Sequence, residues 1–122
     1  AEGGLAGELD SQRGVTEVHH MPAQGAYSHV NSMKPRCGPA IRMEKADHQD
    51  TASWGSRRSA ANYRAEQRDL IDRGKFDDAF LKDVDDIMTK FPGKYDDAIL
   101  QAIDALGRMF GGCGPGGPTI AG

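Results

Sequence analysis

Hydrophobic and polar positions change rhythm twice along this chain. Residues 14–18, GVTEV, gather Val15, Thr16 and Val18, β-branched side chains that suit a pleated backbone and predict a first short strand. The stretch after His19-His20, MPAQGAYSHVNSMKPRCGP, is rich in Pro, Gly, Ser and Asn and predicts a long irregular connection. In a small domain a connection of that length is usually functional when ordered. Residues 40–44, AIRME, alternate apolar and charged side chains, the two-residue period of a second strand.

From Asp47 the period lengthens. DHQDTASWGS predicts a capped helical turn broken near Gly55, after which Ser56 or Ser59 can cap a helix through ANYRAEQRDLIDRG, closed by Gly74. Tyr63, Gln67, Leu70 and Ile71 share one face of it. Phe76, Ala79, Phe80, Val84, Ile87, Met88 and Phe91 then fall at three-four spacing, and Pro92-Gly93 stops that helix. A last helix from Lys94 is expected to bury Tyr95, Ala98, Ile99, Ala102, Ile103 and Leu106. Apolar stripes at this period are scaffold. Strand, loop, strand and then helices make the expected class α+β.

Composition adds boundaries. The chain has 122 residues, 38% of them hydrophobic, which is one domain with a modest core. Glycines gather in AEGGLAGE and GGCGPGGPTIAG, so residues 1–13 are expected to form a flexible linker and 111–122 a flexible tail. The packed domain is then 14–110, divided into 14–55 with the strands and 56–110 with the helices. No apolar run approaches the roughly 18–20 residues of a membrane span, and no membrane partner is expected. No leader sequence opens the chain, and a start at Ala1 suggests a piece of a longer protein that would see to delivery. Cys37 and Cys113 have no C-x-x-C spacing and read as unrelated thiols, with a clip on the tail as the alternative.

The net charge of −3 hides an asymmetry. Residues 34–75 carry ten Lys and Arg against six Asp and Glu; residues 76–110 carry four against eight. A basic middle favours a polyanionic ligand, and an acidic end favours solubility or a protein partner.

Four side chains suit one another chemically: Glu17, His19, His20 and His48. On a strand Glu17 and His19 share a face while His20 points the other way. His48, early in the helix after the second strand, can fold back over the first. Imidazole nitrogens with a carboxylate are an ordinary first shell for Zn²⁺, Mn²⁺ or Ni²⁺, whereas Mg²⁺ prefers more oxygen. An unligated second histidine is a natural general base.

The local sequence then carries a resemblance. VHHMPA, GPAIRMEKADHQDTASWGS and YRAEQRDLIDRGKFDDAF are similar to the nuclease toxin domains at the C-termini of bacterial polymorphic toxins, in the E-H-H-H type of the HNH/endonuclease VII (His-Me finger) superfamily. The likeness runs from about Val15 to Leu106. It implies a two-stranded ββα-metal core followed by a helical half, and a metal-dependent endonuclease. It makes His19 and His48 metal ligands, His20 the general base, and Glu17 the acidic member of the pattern. Some relatives place another histidine where this chain has Ala52, so Glu17, Asp47, water or a substrate phosphate is expected to complete the sphere. The middle position of the HNH triple is not evident; Asn31 and His29 are loop candidates, and His29 reads more simply as a plain loop residue.

The activity so implied is hydrolysis of DNA without sequence preference, using a divalent ion (Mg²⁺, Mn²⁺, Ni²⁺ or Zn²⁺). The setting it implies is a secreted effector, monomeric when free, that acts in a target cell's cytoplasm and is blocked by a cognate immunity protein. Arg57, Arg58, Arg42, Lys45 and Lys34 are candidate phosphate contacts. Trp54 is expected to pack over the strands, with stacking on a base as the alternative. Other readings are an RNase on the same scaffold and a non-catalytic helical interaction domain with a structural metal. A zinc deaminase lacks its H-x-E…P-C-x-x-C pattern here, and neither cysteine has a catalytic context.

Overall fold

The computed structural model describes residues 2–109. Three strands, β1 (Gly3–Leu5), β2 (Thr16–His20) and β3 (Pro39–Glu44), form an antiparallel sheet in the order β1-β3-β2. Four helices follow: α1 (Lys45–Gln49), α2 (Arg58–Asp72), α3 (Phe76–Lys90) and α4 (Asp96–Met109). Short 3-10 turns occur at Ala6–Glu8, Gln24–Ala26 and Pro35–Cys37.

The alternation in β3 organises the core. Ile41 and Met43 pack on one face with Met21, Phe80, Ile87, Tyr95, Ala98, Ile99 and Ala102. Ala40 faces the other way, into a small cluster with Ala6, Leu9 and the partly buried Val18. Helices therefore cover one side of the sheet and the N-terminal segment covers the other. Residues opposite one another in an antiparallel pair share a face. Glu17 opposite Met43, and His19 opposite Ile41, thus lie on the helix side, while His20 opposite Ala40 does not.

The class is α+β as expected, but the sheet has three strands rather than two. The third comes from the expected N-terminal linker, which is a correction. Gly3, Gly4 and Leu5 pair with Ile41, Ala40 and Pro39, and the strand is pressed on α4. A Cβ on Gly3 would sit 2.0 Å from the Ala98 carbonyl oxygen. Glycine here permits contact instead of flexibility. The Gln101 Oε1 accepts from the backbone N–H of Glu2 and Gly3 at 3.0 and 2.7 Å, and Arg108 meets Glu8 with two bonds of 2.9 and 3.0 Å.

Three helix details differ from the pattern. Arg57, not Ser56 or Ser59, caps α2, and no side chain closes that end. Met88 on α3 is 50% exposed and Ile103 on α4 is 45% exposed, because each stripe is narrower than its periodicity implies. The α3 stripe includes a carboxylate instead: Asp83 is fully buried, one turn from both Phe80 and Ile87. Cys37 packs with Leu5 and Ala105 and is disulfide-bonded, which corrects the reading of an unrelated thiol. Cys113 and the expected tail, 111–122, lie outside the described residues. Among the described residues no helix is long and apolar enough to cross a membrane.

Candidate active site

The register of β2 on β3 builds the site. Thr16 pairs with Glu44, so α1, which starts at Lys45, begins level with the start of β2 and returns over it. The Lys45 N–H donates to the Val15 carbonyl at 3.0 Å and pins that return. His48, nearly a turn into α1, then meets β2. Its Nδ1 lies 2.6 Å from the Glu17 Oε1, and its ring stands edge-on to His19 with centroids 5.0 Å apart. Thr51 Oγ1 donates to the His48 carbonyl at 2.7 Å and closes the turn.

Glu17 therefore spends an oxygen on orienting His48. With Nδ1–H donating to that carboxylate, the neutral ring presents the Nε2 lone pair. His19 is 2% exposed, and its Nε2 is buried without a hydrogen-bond partner. Burial, then the charges of His48 and His20, hold its pKa well below the ordinary histidine value, so its imidazole is neutral. Burial also lowers His20; a hydrogen bond to Pro35 acts against this, and His48 adds to the lowering. Proline has no N–H, so the Pro35 carbonyl must be the acceptor and a ring N–H of His20 the donor. The other His20 nitrogen is left with a lone pair.

Val18, His19, His20, Ala23, Gln24, Gly25, His48, Ser53, Trp54, Gly55 and Arg64 line an open cleft of about 310 Å³. His20 reaches it together with His19, although the two point to opposite faces of β2. It can do so because β2 is an edge strand and His20 is its last residue. Among the described residues the lining holds three imidazoles and one guanidinium, and no carboxylate.

The remaining expected residues fall elsewhere. Asp47, an alternative ligand, accepts from Tyr95 Oη at 2.7 Å and pairs with Lys94 at 2.7 Å. Burial pushes its carboxyl up, but Lys94 and Tyr95 outweigh burial and hold it below the usual range. It braces α1 against the segment that leads into α4. His29 pairs with Asp72 at 2.7 Å, and neither it nor the exposed Asn31 lines the cleft. Arg42 donates to the Asp10 carbonyl at 3.3 Å; Lys45 and Arg58 are exposed outside the cleft, as is Lys34. Arg57 lines a neighbouring cleft of about 740 Å³ with Ser59, Tyr63 and Lys90. Trp54 is 39% exposed and lines the histidine cleft together with Val18, His19 and His20 of β2.

Two residues were missed. Arg64 lies on α2 and reaches the cleft through contacts that no local pattern announces. Gln67 accepts from the Ala23 N–H at 3.3 Å and donates to Asp83 Oδ2 at 2.8 Å and to the Ala79 carbonyl at 3.1 Å. It thereby ties the segment just after the histidines to α3.

A divalent ion can be tested against these groups. Among the described residues no three His, Cys, Asp or Glu side chains gather as a ready ligand set. Two do fit: His19 offers a buried, neutral, unsatisfied nitrogen, and His48 is braced by a carboxylate as metal-binding histidines commonly are. Such a pair leaves the other positions to water or to ligand oxygens, an open site in the manner of catalytic metals.

The chain is thus an α+β domain with a histidine cleft beside an edge strand of a small antiparallel sheet. No protein-family model, curated protein or solved structure matches it.

Proposed function

We propose that this cleft is the active site of a metal-dependent endonuclease, a DNase that hydrolyses phosphodiester bonds. The observation that supports it best is the division of labour among three histidines in one carboxylate-free cleft. His19 and His48 each have a nitrogen suited to a metal. His20 has one nitrogen engaged by a carbonyl and the other free. The likeness of VHHMPA and the later segments to E-H-H-H toxin nucleases points the same way. It extends the proposal to a toxic C-terminal effector, delivered by a larger secreted protein into a target cell and held in check by an immunity protein.

His19 Nε2 and His48 Nε2 would hold the ion, with Glu17 keeping the His48 ring in its useful tautomer. The ion would supply Lewis acidity, countering charge on the phosphate and on the leaving oxygen. His20 would take the proton from the attacking water, with Pro35 fixing which nitrogen is free to do so. The positive cleft would attract the phosphate backbone without reading bases, so binding would weaken steeply with salt.

The test is plasmid nicking by purified protein with Mg²⁺, Mn²⁺, Ni²⁺ or Zn²⁺, beside a structured RNA and a chelator control. Wild type should cut DNA and lose activity with chelator. His20→Ala should cut about 10²–10⁴-fold more slowly while retaining metal, whereas His19→Ala and His48→Ala should weaken metal binding. Cutting of RNA alone moves the substrate to RNA. Metal binding with no cutting of either leaves a structural metal in an interaction domain.

A further inference from the structure

We propose that Arg64 is the phosphate anchor of the histidine cleft, holding one phosphate of a nucleic-acid strand while Trp54 beside it takes an unstacked base. The identity of the strand rests on the nuclease reading; the binding of phosphate does not.

The charge of Arg64 is unspent. Several other cations of the helical half are paired: Arg73 meets Asp69 at 3.3 Å, Lys82 meets Glu66 at 3.0 Å, and Lys90 meets Asp86 at 2.8 Å. Arg64 donates through Nη1 alone, to the carbonyls of Ser53 and of Gly55, the latter at 2.8 Å. Both acceptors are neutral, and among the described residues no ion pair involves it. Its Nε and Nη2 keep their donors, and a guanidinium clamped at one corner has lost much of its rotamer freedom before any ligand arrives.

The surroundings select an anion. The cleft that Arg64 lines contains no carboxylate, and its other polar side chains include three imidazoles. A half-buried guanidinium beside three imidazoles raises the local potential with no carboxylate in the lining to compete, and its planar fork matches phosphate oxygens. The same clamp explains why a base should follow. Trp54 sits between Ser53 and Gly55, the two residues whose carbonyls hold Arg64, so one contact positions both cation and indole. An exposed indole next to a phosphate-binding cation is the combination that single strands use, stacking on one and pairing with the other.

Trp54 is the only tryptophan, so its fluorescence reports this cleft directly. The experiment titrates inorganic phosphate, and separately a six-nucleotide single-stranded DNA, into the metal-free protein with a chelator present. Wild type should show a saturable change in emission with both, tighter for the oligonucleotide, and its melting temperature should rise with added phosphate. Arg64→Gln should bind both at least tenfold more weakly and lose the phosphate-dependent rise. Arg64→Lys, which keeps a cation able to reach the carbonyls, should fold as wild type and bind phosphate with intermediate affinity. Arg73→Gln, just past the end of α2, should bind as wild type.

Equal phosphate affinity in wild type and Arg64→Gln overturns the proposal, as does an absence of phosphate binding by wild type. Because hydrolysis is not read, the two claims separate. Phosphate binding through Arg64 with no nicking under any metal keeps the anchor and removes the nuclease. Nicking with an unchanged KM in Arg64→Gln does the reverse.

Discussion

Two sets of buried polar groups, one between α2 and α3 and one on β2, are finished to different degrees. On the helix side Asp83 is enclosed, and both its oxygens are used: Tyr63 Oη donates to Oδ1 at 2.7 Å and Gln67 Nε2 to Oδ2 at 2.8 Å. Gln67 spends its own oxygen on the Ala23 N–H. On β2 His19 is almost equally enclosed, yet its Nε2 has no partner. Native proteins rarely leave such an atom unsatisfied without a use for it. A satisfied network belongs to the scaffold; an unsatisfied nitrogen in a cleft is held ready for a ligand. Gln67 joins the two, since it is anchored in the first and supports the strand end that carries the second.

The sharpest way to break that contrast is to empty the satisfied cluster. Asp83→Leu leaves the Gln67 amide and the Tyr63 hydroxyl without their acceptor, and should cost about 2–4 kcal/mol in urea unfolding. Asp83→Asn separates charge from shape. Burial pushes the Asp83 carboxyl up to about 7, with Gln67, Tyr63 and Lys82 lowering it and Asp86 raising it. The folded chain then binds this proton more tightly than the unfolded chain, whose carboxyl titrates near 3.8. Stability from this group is complete below pH 3.8 and is lost as pH rises to about 7. Asp83→Asn should remove that slope, so the gap between the proteins should narrow or reverse from pH 4.5 to pH 7.5. Parallel stability curves for the two would show that Asp83 carries a charge throughout, and the network would then be ionic.

A smaller effect is expected at the other edge of the sheet. Gly3→Ala places a methyl group 2.0 Å from the Ala98 carbonyl oxygen, so β1 must lift from α4 or the helix must shift. Overpacking of this kind costs about 1–3 kcal/mol. Hydrogen exchange should locate the loss at β1 and α4 and leave the amides of β2 protected. Loss of protection in β2 instead would mean that the edge strand bearing the histidines depends on the N-terminal strand.

These regions were not equally legible in the sequence. The strands β2 and β3 and the three long helices could be read because each repeats a period over enough residues. β1 has three residues, two of them glycine, and no period; it exists because α4 offers a surface that only glycine can approach so closely. Asp83 stands outside the apolar period of its helix, and the donors that match its oxygens come from a different helix. The residue types of the site were legible in His19, His20 and His48, but the role of Glu17 was not. Whether a carboxylate binds a metal or braces a histidine depends on a register, Thr16 opposite Glu44, that a sequence does not print. Arg64 was hidden more deeply. On α2 it is one of several arginines at helical spacing, and only the return of Ser53–Gly55 past its guanidinium makes it part of a cleft.

The smallest predicted change in stability is the most discriminating. His19→Leu replaces a buried imidazole, unsatisfied at one nitrogen, by a hydrocarbon of similar bulk beside Ile41, the residue opposite it in β3. Removing a polar group that lacks a partner relieves a desolvation cost, whereas removing one of a matched pair creates such a cost. His19→Leu should therefore unfold within about 1 kcal/mol of wild type, or be more stable. It should also fail to retain a divalent ion in equilibrium dialysis and fail to nick DNA. A loss of stability as large as that of Asp83→Leu would place His19 in the scaffold, satisfied by water or by packing, and would leave the cleft with one metal-binding histidine. Retained stability with lost metal binding would mean that the chain bears an unsatisfied nitrogen for what it binds, at a position where leucine would fold as well.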